Sequence, residues 1–407
     1  MKCGLLGRKL GHSYSPQIHS QLGTYGYFLF EKEPDELEEF LKCGDFSGLN
    51  VTIPYKKTVI PYLSQLSPVA KRLGAVNTIV RRDGMLIGHN TDYFGFQSMV
   101  SQCGLDVRGK KVLVLGSGGA SNTAVAVLEE LGANAVVISR TGENNYHNLF
   151  LHADAAVIVN ATPVGMYPHV GVSPVDLSLF SQLEGVLDII YNPARTQLLL
   201  DAENRGIVAM NGLWMLVAQA KESAEWFTNS SISNDIIQEI HRDLRLKMEN
   251  IILIGMPGSG KSTVGKHLAE QLGKHFIDAD SAIVKKAGMS IPDIFAQHGE
   301  EGFRIIETEV LAELGKRSGL VIATGGGCVT REENFPLLHQ NGTIICLNRD
   351  LASLPTDGRP LSQTGHLEEM YRIRKPMYIR FADHHIDCND SPEAAVAQIL
   401  QILEERP

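Results

Sequence analysis

Residues 246–264 read LKMENIILIGMPGSGKSTV, and this stretch decides the architecture of the chain. Ile251, Ile252, Leu253 and Ile254 form a short apolar, largely β-branched run, the composition of a parallel strand buried on both faces. The run empties into Gly255-Met256-Pro257-Gly258-Ser259-Gly260-Lys261-Ser262-Thr263, which satisfies the spacing of a phosphate-binding loop. Val264, Leu268 and Leu272 then recur on one helical stripe, with Gly273 as the stop signal. Strand, glycine loop and helix in that order are the context that makes the motif a site. Glycines let successive N–H groups curl around a triphosphate, Lys261 neutralises its outer oxygens, and Ser262 can hold Mg2+. Met248 stands just ahead of the strand. From there onward the chain reads as one small protein, and before it as another.

Working outward, 407 residues allow two or three domains, each with its own core. Hydrophobic residues at 43% and charged ones at 20% are ordinary for a globular protein. A formal charge of −9 without a basic tract argues against nucleic acid as a partner. The six cysteines have no CxxC or paired spacing, so reduced thiols are expected. No apolar run reaches the roughly 18 residues of a membrane span, and the N-terminus lacks an apolar signal core. The expectation is a cytoplasmic protein without a membrane partner.

In the first half, residues 2–6 predict a strand, followed by a glycine-punctuated turn. Ser15 and Pro16 then have the pattern of a helix start, with Ser15 as N-cap. Ser13 and Ser15 are explained by capping alone, although two hydroxyls there also suit a small carboxylate. Residues 49–56, LNVTIPYK, predict a strand entering a Pro-started helix, with Lys56 at the mouth of a sheet. AVNT at 75–78 and GHNTD at 88–92 predict two further strand ends with polar tips. Several strands ending in Thr52, Lys56, Asn77 and Asp92 point to one cleft. A Lys–Asp pair there could supply an oriented proton donor.

Residues 111–115 open a βαβ unit with Gly116, Ser117, Gly118, Gly119 and Ala120 at the turn. This is a dinucleotide fingerprint with Ser121 where the third glycine is expected. The next strand ends in Ser139, Arg140 and Thr141 instead of an acid, a set suited to a 2′-phosphate and hence to NADP. Further βα units follow, and Gln219 is a polar exception on a long apolar helix beginning near Gly212.

With GHSYSP, NVTIPYK, GAVNT, HNTD, GSGGA, SRT, NATPVGM, YNP and NGLWMLVAQA in order, residues 1–247 resemble shikimate dehydrogenase throughout. The resemblance implies that Ser13, Ser15, Thr52, Asn77, Asp92, Tyr191 and Gln219 bind a hydroxylated ring acid. It makes Lys56 and Asp92 the catalytic pair. It places NADP(H) on Gly116, Gly118, Gly119, Ala120, Ser139, Arg140, Thr141 and Gly212. Two positions depart from the family pattern: Ser20 follows His19, and Gly142-Glu143-Asn144 lacks a second basic residue after Arg140.

In the second half, residues 276–280 predict a strand ending in Asp278 and Asp280. These cap the next helix or, beside a phosphate loop, serve Mg2+ through water and a substrate hydroxyl. A helix over 299–313 carries Phe303, Arg304 and Glu307. Thr324-Gly325-Gly326-Gly327 permits close backbone approach to a ligand. Arg359 lies in a turn-rich segment with the character of a lid, and Arg374 lies on a helix with Pro376 and Tyr378. GMPGSGKST, DAD, FRIIE, TGGG, RPL and RKPMY resemble shikimate kinase. The resemblance implies shikimate contacts from Asp280, Arg304, Gly326 and Arg374, with Asp280 accepting a proton. ATP would take Gly255, Gly258, Ser259, Gly260, Lys261, Ser262, Thr263 and the lid residue Arg359. Lys261 and Arg359 would act on the transferring group, and Mg2+ would be held by Ser262 and, through water, Asp278.

The expected fold is α/β throughout: a substrate domain over 1–92 and 212–247, a Rossmann-like NADP domain over 93–211, and a P-loop kinase domain over 248–407. The expected function is NADPH-dependent reduction of 3-dehydroshikimate followed by ATP-dependent phosphorylation of shikimate. The rival reading is a kinase whose first half senses a ligand without catalysis, and another is a kinase for a different small hydroxylated acid. A cut before Met248 is expected to release two active proteins. Oligomeric state is left open.

Overall fold

The computed structural model describes residues 1–11, 13–354 and 367–405. Arg359 therefore lies outside the described residues. Three sheets carry the chain. The first contains β1 (Lys2–Gly7), β2 (Gly26–Glu31), β3 (Gly48–Val51), β4 (Gln65–Leu66), β5 (Thr78–Arg82) and β6 (Met85–His89), in the order β2-β1-β3-β5-β6-β4. Its core is apolar side chains such as Leu6, Leu49, Val51 and Ile79, all buried against Leu37 and Leu41.

The second sheet, β7 (Lys111–Leu115), β8 (Asn134–Ile138), β9 (Val157–Asn160), β10 (Gly185–Asp188) and β11 (Val208–Met210), is parallel throughout, in the order β11-β10-β9-β7-β8. The third comprises β12 (Asn250–Ile254), β13 (His275–Asp278), β14 (Leu320–Ala323), β15 (Gly342–Asn348) and β16 (His384–Asp387), again all parallel, in the order β13-β14-β12-β15-β16. In both, order reverses beside the strand that feeds a glycine loop, the place where open α/β sheets bind ligands. The unbroken apolar run of β12 has the expected cause. Ile252 and Ile254 enter the core on one face, Ile251 and Leu253 that on the other.

The chain divides into two compact units: Met1–Val164, Ser173–Tyr191 and Asp201–Asp243 form one, and Gly165–Val172, Asn192–Leu200 and Leu244–Pro407 form the other. Within the second unit, Ala194 N donates to Asn341 Oδ1 at 2.8 Å and Arg195 N to Gln340 O at 2.8 Å.

Three local expectations differ from the structure. Residues after Pro54 form turns and a short 3-10 helix, Ile60–Tyr62, with no α-helix there. Asn77 stands at the start of β5, since β5 and β6 are an antiparallel hairpin that brings Thr78 opposite His89; two polar tips at one edge arise from opposite strand directions. Ser15 is the first residue of the helix Ser15–Leu22, which has no side-chain cap. The helix expected over 299–313 is present: Gly299, at φ 68° in the left-handed region, divides Ile291–Gly315 into two helices, and the second begins there and runs to Gly315.

Candidate functional site

A cavity of about 220 Å3 lies in the first unit. Ser13, Ser15, Thr52 and Lys56 line it from segments following β1 and β3. Asn77 and Asp92 enter from the two ends of the β5–β6 hairpin, and Tyr191 and Gln219 complete the wall. Every residue expected to meet the ring acid is thus brought to one space. The capping account of the serines does not hold for Ser15: its N–H donates to Ser13 Oγ at 3.2 Å.

Lys56 Nζ donates to Asp92 Oδ2 at 2.6 Å, and Asn77 Nδ2 donates to Asp92 Oδ1 at 3.0 Å. Asp92 is also the first residue of the helix Asp92–Gln102, where helix polarity favours a carboxylate. The lysine side chain is 33% exposed and the aspartate 17%, so the carboxylate is the more enclosed partner. Both carboxylate oxygens are engaged, which fixes the direction from which the ammonium is held. A proton donor held this way beside a small polar cavity can serve a carbonyl reduction.

Toward the second sheet, β7 runs into the helix Gly119–Glu130, with Gly118 in the N-cap place. Side-chain carbons added at Gly118 or Gly119 would meet nothing within 4 Å, which leaves room for a dinucleotide phosphate on the helix N-terminus. Ser121, in place of the third glycine, is buried, and its Oγ donates to Gly116 O at 2.7 Å, closing the loop that the motif requires. After β8, Ser139 Oγ donates to Thr141 O at 3.1 Å, and Arg140 stands exposed. The set fits a cofactor bearing a 2′-phosphate. Gly212 lines the same cavity as the ring-acid residues, and a side-chain carbon there would lie 1.9 Å from Ile189 O.

In the second unit, β12 leads through Gly255–Gly260 into the helix Lys261–Leu272, with Gly260 at φ 97°. Lys261 Nζ donates to Gly255 O and Met256 O, each at 2.9 Å. Ser262 Oγ donates to Asp278 Oδ2 at 2.7 Å, and Asp278 Oδ1 caps the helix Ala279–Ala287 by accepting from Ser281 N. Asp278 therefore caps this helix with one oxygen and holds the phosphate-loop Ser262 with the other, and Asp280 sits in the first turn of the same helix. The oxygen donors Ser262 and Asp278 suit Mg2+, whose remaining positions go to water and phosphate. Among the described residues no cluster of three or more His, Cys, Asp or Glu could hold a metal by itself.

The loop Thr324–Gly327 lies against the phosphate loop: a side-chain carbon at Gly326 would come 2.7 Å from Pro257. Arg374 Nη1 donates to Gly326 O at 3.2 Å, and Tyr378 donates to the same carbonyl. Arg304 Nη1 donates to Glu307 Oε2 at 2.7 Å, both nearly fully buried. Burial raises the Glu307 carboxyl above the usual range although Arg304 opposes it. Asp280 and Glu307 flank Gly325, so two carboxylates and the two arginines share one enclosed corner. Such a corner can grip a carboxylate and orient a hydroxyl.

The family described as shikimate dehydrogenase substrate binding domain matches residues 5–79, and the shikimate kinase family matches residues 257–404. A shikimate dehydrogenase (NADP(+)) of Clostridium perfringens is 35% identical over 266 residues, covering 60% of this chain and 98% of that protein. The chain belongs to the shikimate dehydrogenase family. Among solved structures, a chorismate mutase/shikimate 5-dehydrogenase fusion protein from Clostridium acetobutylicum is 39% identical with a TM-score of 0.57, over 60% of this chain and 96% of that one. The Thermus thermophilus shikimate 5-dehydrogenase in complex with NADP(H) and shikimate is 29% identical, TM-score 0.54, over 60% and 99%. This shikimate dehydrogenase carries a shikimate kinase domain in the same chain.

Some residues of the dehydrogenase cavity were not singled out from the sequence. Asn50 lines it, buried at 5%, and accepts from Tyr27 at 2.8 Å. The signal was an amide inside the otherwise apolar strand β3. Tyr14 and Met215 also line the cavity, but nothing in their sequence setting marks them.

Proposed function

We propose that the chain performs two consecutive reactions, reducing 3-dehydroshikimate to shikimate and then phosphorylating shikimate. The observation that carries this reading is the Lys56–Asp92 pair at the wall of a cavity formed by all the expected ring-acid residues. NADPH, when bound, supplies the hydride. Lys56 Nζ donates a proton to the oxygen that was the ring ketone, and Asp92, locked by Asn77, keeps that ammonium in place. Ser13 and Ser15 take the substrate carboxylate, while Thr52, Asn77, Tyr191 and Gln219 take its hydroxyls.

In the second site ATP with Mg2+ supplies the phosphoryl group. Asp280 accepts the proton of the attacking hydroxyl, Arg304 and Arg374 grip the ring carboxylate, and Lys261 offsets charge on the phosphates. This reading divides the chain by function near residues 92, 212 and 248, while by contact Gly165–Val172 and Asn192–Leu200 group with the second unit. No described helix is long and apolar enough to cross a membrane; the two proposed reactions take small molecules as partners, in the cytoplasm. The ligand-sensing alternative is disfavoured because the catalytic pair is assembled.

The test is NADPH oxidation with 3-dehydroshikimate and, separately, ADP release with shikimate, on the same purified chain. Both rates should be substrate-dependent. Binding of 3-dehydroshikimate without NADPH oxidation would return the first half to the sensing role.

A further inference from the structure

Behind Asn77, which holds the Asp92 carboxylate, lies Ser223, a residue that neither lines the cavity nor bonds to Lys56. Ser223 is in the interior of the helix Leu213–Thr228, one turn beyond Gln219, and is fully buried. Its Oγ lies 2.7 Å from Asn50 Nδ2, 2.8 Å from Thr78 Oγ1, 3.0 Å from Thr91 Oγ1 and 2.9 Å from Gln219 O. Four elements therefore meet at one hydroxyl: β3, the start of β5, the residue before the helix Asp92–Gln102, and the long helix itself.

Hydrogen-bond accounting gives the junction a direction. A serine hydroxyl donates once and accepts twice. A helical serine donates to the carbonyl four residues back, here Gln219 O, so Ser223 accepts from Asn50 and from one threonine. Asn77 Nδ2 uses its two protons on Thr91 Oγ1 and Asp92 Oδ1, each at 3.0 Å. Thr91 Oγ1, accepting from Asn77, has its own proton for Ser223 Oγ at 3.0 Å or Asn77 Oδ1 at 3.2 Å, the former being the shorter contact. Thr78 accepts the second amide proton of Asn50 at 3.3 Å and donates to Asn77 Oδ1 at 3.2 Å. Asn77 Oδ1 also accepts from Thr91 N at 2.7 Å. Every proton in the cluster then has an acceptor. The Thr91 N–H can only donate, so Asn77 Oδ1 faces it and Nδ2 faces Asp92, while the hydroxyls tie this amide to the long helix through Ser223. Thr78 and Thr91 are 0% and 1% exposed, so water cannot take over a lost bond.

We propose that Ser223 is a positioning residue of the dehydrogenase: through Thr91 and Thr78 it sets the Asn77 amide, and thereby the Asp92 carboxylate that aims Lys56. The inference rests on the reading of Lys56 and Asp92 as the catalytic pair. Without the Ser223 hydroxyl, Thr91 and Thr78 keep their bonds to Asn77 but lose their tie to the helix Leu213–Thr228 and to Asn50. The amide then keeps its orientation and loses its fixed position. Small displacements of a catalytic pair cost rate more than binding, by up to about 100-fold for a shift near 1 Å.

The test measures kcat for reduction of 3-dehydroshikimate, the 3-dehydroshikimate KM, the pH profile of kcat and kinase rate on Ser223→Ala, Ser223→Thr and Thr91→Val in the full chain. Thr91→Val removes the same link from its other end while keeping the Thr91 N–H bond to Asn77. Expected are a kcat loss of about tenfold or more for Ser223→Ala and Thr91→Val, a shift of the limb of the pH profile that wild type shows, and a 3-dehydroshikimate KM within about threefold. Ser223→Thr, which keeps the hydroxyl, should recover most of the rate, and kinase turnover should stay at the wild-type value. If Ser223→Ala does not fold, Thr91→Val decides alone. A kcat within twofold of wild type, or a loss that follows the folded fraction with an unmoved pH profile, overturns the proposal. Inactive wild-type chain would instead overturn the catalytic reading itself.

Discussion

Lys56 and Asp92, 36 residues apart in sequence, are joined by a 2.6 Å bond between Nζ and Oδ2 at the wall of the ring-acid cavity. Replacing Lys56 by Ala should lower dehydrogenase kcat about 100-fold or more, within the range for loss of a general acid. The NADPH KM should change little, since no cofactor residue contacts the lysine in the proposed arrangement. ADP release by the same sample is the control. Near wild-type reduction would remove Lys56 from the chemistry.

Arg140 is exposed at the end of β8, and Glu143 follows three residues later. With one guanidinium available to a 2′-phosphate, Arg140→Ala should raise the KM for NADPH and leave that for NADH nearly unchanged. Steady-state kinetics with both nucleotides decide it. Equal losses would assign Arg140 to the fold.

His89 stacks on Trp226 with ring centroids 3.6 Å apart, and neither ring nitrogen has a hydrogen-bond partner. Burial first, and then Arg82, hold its pKa at about 4, below the ordinary 6.5. Between those values the unfolded chain takes up a proton that the folded chain refuses. The stability tied to His89 is therefore complete above pH 6.5 and is lost as pH falls toward 4. His89→Phe, which keeps the stack and cannot protonate, should flatten the fall in Tm between pH 7 and pH 5. An unchanged slope in a thermal-melt series would exclude His89 as a source of acid sensitivity.

Arg304 and Glu307 form a buried pair, and removing one member of such a pair leaves an uncompensated charge that typically costs about 3–5 kcal/mol. Glu307→Gln keeps the shape and loses the anion that holds the guanidinium. The kinase KM for shikimate should rise by about tenfold, with the ATP KM within twofold and the dehydrogenase unaffected. Parallel rises in both KM values would point to general collapse of the kinase site.

A chain beginning at Met248 lacks Asn192–Leu200, which belongs to the second compact unit. It loses the bonds from Ala194 N to Asn341 and from Arg195 to His339 O at 3.1 Å and Gln340 O at 2.8 Å. The truncated kinase should therefore melt at a lower temperature than the kinase transition of the intact chain. Equal melting temperatures would show that these bonds contribute nothing measurable.

The nucleotide sites were legible in the chain because their chemistry is local. A phosphate loop needs a strand, glycines at fixed offsets and a helix start, and all lie within 251–264. The same holds for 111–120, where even the irregular Ser121 only replaces a close packing contact by a bond to Gly116 O. The ring-acid residues were legible only as polar tips on separate segments. What joined them was tertiary: the antiparallel β5–β6 hairpin, which sets Asn77 and Asp92 at one edge, and the helix Leu213–Thr228, which carries Gln219 to the same cavity. Ser223 shows the limit most clearly. In the sequence it is one small residue in a helix, and its meaning comes from Asn50, Thr78 and Thr91, whose nearest is 132 residues away. Backbone propensity and short motifs act over a few residues, so sequence alone determines the elements and the loops that bind phosphate. Side-chain hydrogen bonds in a buried cluster depend on directions set by the packing of several elements, and only the folded chain decides them.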